Sequence, residues 1–119
     1  MKQENELGLR ISAKYNRIYV HRTTLKAIGN PEFVSLGIHP KSKKLVVLAA
    51  EECDKEAMRV RYTEDNMFCI YSKMLLDGIC TVAPQIGAQD SCLLHGGLLK
   101  EQNAAAFDMN DIETITEAE

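Results

Sequence analysis

Apolar residues recur along this chain as short alternating runs, each leading into a helical one. Leu9, Ile11 and Ala13 alternate with Gly8, Arg10 and Ser12, the period of two that a half-buried strand needs. Lys14-Tyr15-Asn16 turns the chain, Asn being the residue after Gly most tolerant of positive φ. Ile18 and Val20 share one face of a second strand. Thr23 and Thr24 offer caps to a short helix whose apolar side carries Leu25 and Ile28. Gly29 accepts the left-handed geometry of a helix end, and Asn30-Pro31 cannot continue the ladder. Residues 17–29 therefore read as strand, helix and stop, and the rest of the chain is organised around them.

Strands follow at 33–38 and 45–49, joined by the charged hairpin turn 39–44. The run 45–49 is apolar throughout, so it is expected to be covered on both faces. Residues 50–56 are an exposed acidic connection, 58–62 alternate as a further strand, and 63–66 turn.

The pattern then returns. Residues 67–71 are strand-like, Ser72 is an N-cap, and the next seven residues place Met74, Leu75 and Ile79 on one helical side. Gly78 is expected to end that helix as Gly29 ends the first, and 80–89 are looser. Residues 91–95 form a strand, with Gly96-Gly97 a bulge or bend in it. Residues 100–103 turn and 104–109 are its partner; in the acidic end, Ile112 and Ile115 form one helical turn. Strand, short helix, strand, turn, strand thus occurs twice, at about 17–49 and 67–109. Val20 corresponds to Ile70, Leu25 to Leu75, and Leu36 roughly to Leu93.

With 119 residues the chain is expected to be one domain, its segments 1–7 and 112–119 loose. No apolar run reaches membrane-span length and the polar start has no signal-peptide core, so the expected location is cytoplasmic, with no membrane partner. Cys53, Cys69, Cys80 and Cys92 include no closely spaced pair, which suits free thiols rather than a metal site. Charge is uneven: residues 1–50 hold nine Lys/Arg and three Asp/Glu, a net of +6, while residues 51–119 hold five and fourteen, a net of −9. Such asymmetry fits either a basic face for nucleic acid beside an acidic surface or tail, or two sets of ordinary solvated charge.

No motif supports catalysis. His21, His39 and His95 are single and scattered, with no nucleophile pattern near any of them. Glu51, Glu52 and Asp54 lack the alternating loop pattern of calcium ligands, and no Lys-Ser/Thr follows Gly96-Gly97 to make a phosphate loop. No catalytic residue, metal or cofactor is assigned.

Residues 9–49 resemble the swapped-hairpin module of AbrB and MraZ transcription factors. The Gly-Arg turn of that module matches Asn16-Arg17, and its apolar strand matches Ile18-Tyr19-Val20. Its helix-ending Leu-Gly matches Ile28-Gly29, twelve residues past Arg17, and its closing strands match 33–38 and 45–48. The chain departs from the pattern at Ala13, Asn16 and His21, where the family has Asp, Gly and Pro. The resemblance implies an α+β fold of mostly antiparallel strands: a small pseudo-twofold swapped-hairpin barrel with two short helices, its second copy degenerate.

The resemblance also implies a non-enzymatic regulator that binds double-stranded DNA and assembles as a homo-oligomer. It would put DNA contacts at Arg10, Lys14, Arg17 and Arg22, with Lys26 adding a phosphate contact. The alternative is a protein-interaction module, of the kind borne by bacterial mobile elements or phage, acting on a protein partner through an acidic surface.

Overall fold

The computed structural model describes residues 7–87, 91–99 and 103–114. It is an α+β, strand-rich antiparallel half-barrel with three short helices among the described residues. The strands are β1 (Leu7–Ser12), β2 (Arg17–His21), β3 (Phe33–His39), β4 (Lys44–Ala50), β5 (Met58–Arg59), β6 (Met67–Tyr71), β7 (Ser91–Leu99) and β8 (Ala104–Thr114). The helices are α1 (Arg22–Ala27), α2 (Lys73–Val82) and α3 (Pro84–Gly87). No helix among the described residues is long and apolar enough to cross a membrane.

One eight-stranded sheet runs β5-β3-β4-β8-β7-β1-β2-β6. Alternation decides which way each strand faces. Leu9 and Ile11 of β1, Ile18 and Val20 of β2, and Phe68 and Ile70 of β6 are buried inward. Leu45 and Val47 of β4 and Phe107 and Met109 of β8 complete that face. The helices close over it with Leu25, Ile28, Leu76, Ile79 and Ile86. Beyond β5, Tyr62 bridges Phe68 of β6, so the two ends of the sheet approach each other.

Several elements differ from the sequence reading. Strand β5 covers only Met58–Arg59; the Val60 amide still donates to the Glu32 carbonyl at 2.9 Å, but by Tyr62 the segment has left β3 and bridges Phe68 of β6. Helix α1 has His21 at its N-cap with no side-chain cap; the Thr24 hydroxyl donates to the Gly8 carbonyl at 3.3 Å. Helix α2 keeps its Ser72 cap, which accepts from the Leu75 amide at 3.1 Å, and its expected Leu75 and Ile79 do pack on the core, but Met74 does not and Leu76 takes its place. Leu76 and Ile79 are buried, whereas Met74 is 83% exposed.

Gly78 lies inside α2 and does not end it; its Cα faces Ile38, 3.2 Å from where a Cβ would stand. Residues 80–87, expected to be loose, are the end of α2 and then α3. The run 45–49 is covered on both faces only over Leu45, Val46 and Val47, which are buried; Leu48 and Ala49 are half-buried. Strand β8 extends to Thr114, so Ile112 belongs to a strand and not to a helical turn; Ile115 and the turn residues 100–102 lie outside the described residues.

Candidate functional site

The turn between β1 and β2 brings cations and aromatic rings together on the outer face of the sheet. Because Leu9, Ile11, Ile18 and Val20 point inward, Arg10, Arg17 and Tyr19 must point outward. Pairing then sets their neighbours. Arg10 stands opposite Tyr19 and Tyr19 opposite Cys69; Arg17 stands opposite Tyr71. The Arg10 guanidinium lies 5.7 Å from the centre of the Tyr19 ring, and Lys14 Nζ lies 5.4 Å from that of Tyr15. A hydrogen bond with Tyr19, reinforced by the fields of Tyr19 and Cys69, holds the Arg17 guanidinium above its ordinary pKa. Tyr15 is 58% exposed and Tyr71 69% exposed.

The turn is tied down by its backbone. Asn16 has φ of 58°, and its carbonyl accepts from the Ser72 amide at 3.1 Å. That bond fixes the β1–β2 turn beside the junction of β6 and α2, and so places Lys14 and Tyr15 near Tyr71.

Arg22 and Lys26 belong elsewhere. Strand β2 spans about 13 Å, and they follow its far end, lining a cleft of about 400 Å³ with His21, Thr23, Asp65 and Asn66. Arg22 donates to Asn66 Oδ1 at 3.2 Å, and its guanidinium lies 5.0 Å from the centre of the Tyr62 ring. Its side chain therefore holds the turn before β6, and Asp65 makes the cleft mixed in charge. The five basic residues named from sequence thus form two groups: Arg10, Lys14 and Arg17, and separately Arg22 and Lys26.

Two histidines read as scattered share one face. Gly8 pairs in register with His95, and the His21 ring lies 3.4 Å from where a Gly8 Cβ would stand. His95 Nε2 is 3.0 Å from Glu113 Oε1. Burial, with Arg10 nearby, lowers the His21 pKa. Among the described residues no group of three or more His, Cys, Asp or Glu gathers as a cation would require.

Sequence reading did not single out Tyr15, Tyr19 or Tyr71. The basic residues around Tyr15 and Tyr19 were a local signal, but nothing local connects Tyr71 with Arg17. No family model matches this chain, and neither a curated protein nor a solved structure matches it.

Proposed function

We propose that the chain is a non-enzymatic, DNA-binding regulator built as a pseudo-twofold swapped-hairpin barrel, with its DNA contacts on the outer face of β1 and β2. The observation that carries this reading is the grouping of Arg10, Lys14 and Arg17 around one rigid turn, two of them seated on tyrosine rings. Phosphates are held by such cations, and planar guanidinium groups also read base edges.

Reciprocal contacts support the twofold part of the proposal. The Ser72 amide donates to the Asn16 carbonyl and the Arg22 amide to the Asn66 carbonyl, a pair of bonds related by a shift of fifty residues. The Met109 amide donates to the Lys43 carbonyl and the Ala49 amide to the Asn103 carbonyl, related by a shift of sixty. Strand β1 pairs with β7 and β5 with β3, so each half lends its first strand to the hairpin of the other. The ten extra residues between β6 and β8 accommodate a longer α2 and the added α3.

The reading includes a second copy of the chain over the outer face of β3, β4, β8 and β7. Gly37, Val46, Ala106 and Gly97 form one cross-strand row there, beside a groove of about 360 Å³ bordered by Leu48 and Leu99. Lys44 pairs with Asp108 in the row formed with His39. A twofold axis along the strands would set each Lys44 against Asp108 of the other copy.

The test is binding to a random duplex-DNA pool at low and moderate salt, with light scattering on the same sample. Lys14→Ala with Arg17→Ala is expected to weaken binding and to flatten its salt dependence, by about 0.9 in slope for each phosphate no longer neutralised. Ala106→Glu is expected to give a monomer. Absence of binding even at low salt would overturn duplex DNA as the ligand; with no nucleic acid bound in any form, attention would pass to the exposed acidic segment 51–56 as a surface for a basic protein.

A further inference from the structure

The basic face carries more aromatic surface than phosphate binding requires. Tyr15, in the β1–β2 turn, and Tyr71, opposite Arg17, are large rings left in water, and neither contributes to the core. Each ring on this face has a cation beside it: Arg10 over Tyr19, Lys14 over Tyr15, and Arg17 opposite Tyr71 in the β2–β6 register. Tyr19 and Tyr71 are diagonal cross-strand neighbours, because Tyr19 pairs with Cys69 two residues before Tyr71. Such diagonal neighbours lie about 7–8 Å apart, within reach of adjacent bases on an extended strand.

In a duplex the base faces are already stacked on one another, so rings at this position gain nothing from them. In a single strand the faces are open. Exposed aromatic platforms flanked by cations are how proteins hold unpaired bases, the rings stacking and the cations following the backbone.

We infer that this face binds single-stranded nucleic acid, its bases stacking on Tyr19, Tyr71 and Tyr15 and its phosphates held by Arg10, Arg17 and Lys14. The inference rests on the nucleic-acid reading above and names the form of ligand that the site takes.

Fluorescence anisotropy with a labelled twelve-nucleotide strand of mixed sequence, and with the same strand annealed to its complement, tests it. The single strand is expected to bind at least about ten-fold more tightly than the duplex. Tyr71→Ala and Tyr15→Ala are each expected to weaken single-strand binding by about five-fold to a hundred-fold, with duplex binding changed by less than about two-fold. Tyr71→Phe keeps the ring and is expected to keep the affinity. Both tyrosines are exposed, so the melting curves of the variants should overlay that of the parent. Equal or tighter duplex binding, indifferent to the tyrosines, would overturn this inference and leave the DNA-binding reading in place. A loss in Tyr71→Phe as large as in Tyr71→Ala would overturn stacking. No binding of either probe at low salt would overturn both readings.

Discussion

Asn16 and Asn66, fifty positions apart, hold the same left-handed backbone, with φ of 58° at one and 62° at the other. Each ends a turn into a strand, β2 or β6, and each carbonyl accepts the amide of the residue that follows the opposite strand. Asn tolerates this conformation, whereas a β-branched side chain clashes with its own backbone there. Asn16→Val and Asn66→Val are therefore expected to destabilise the fold by about 1–2 kcal/mol each, and Asn16→Gly to cost little. Urea unfolding of the three variants checks this.

Gly96 sits where β7 shifts register against β8, between Leu94 and Gly96. A Cβ there would run into the backbone carbonyl of Ala106 and the Phe107 ring. Gly96→Ala is expected to cost about 1–3 kcal/mol, the range for overpacking a filled site. Gly37, with nothing within 4 Å of an added Cβ in the single chain, provides the control once the proposed dimer face is removed: in the Ala106→Glu background, Gly37→Ala should leave the melting temperature unchanged. Thermal melts of both variants distinguish local crowding from a general intolerance of change.

His21 gives stability a pH dependence. Its pKa is lowered from the ordinary 6.5, first by burial and then by Arg10. Above pH 6.5 both folded and unfolded chains hold it neutral. As the pH falls below 6.5 the unfolded chain takes up the proton first, so stability is lost through that window until the folded-state pKa is passed. Between pH 7.5 and 5.5 the melting temperature of the parent should fall more than that of His21→Gln. An identical fall in the two would refute the assignment.

The cysteines should react in order of exposure. Burial and nearby Cys80 push the Cys92 thiol up to about 11, and burial with Asp77 raises Cys80. Cys53 is exposed. Since the thiolate is the reactive form, maleimide at pH 7.5 should label Cys53 first and Cys92 only after denaturant is added. Peptide mass mapping of the native protein reads the sites directly.

Local pattern and fold agree where one short-range rule acts alone. Alternation in 17–21 placed Ile18 and Val20 on one inward face because a strand has a fixed period of two. The run 67–71 is apolar throughout, and it is pairing with β2 that turns Phe68 and Ile70 the same way. Ser72 was legible as a cap since its hydroxyl serves an amide three residues on. Helix α2 shows where this stops. Met74, Leu75, Leu76 and Ile79 allow more than one apolar face, and the approach of Gly78 to Ile38 of β3 selects the one that buries Leu76.

The candidate site divides the same way. That Arg10, Lys14 and Arg17 lie together follows from one tight turn between two alternating strands and is legible locally, although the same local reading joined Arg22 to them. The arrival of Tyr71 beside Arg17, the separation of Arg22 and Lys26, and the meeting of His21 and His95 across Gly8 were decided only by tertiary pairing. Strand partners are chosen by backbone hydrogen bonds between segments far apart in the chain, and no local period encodes which distant strand lies alongside.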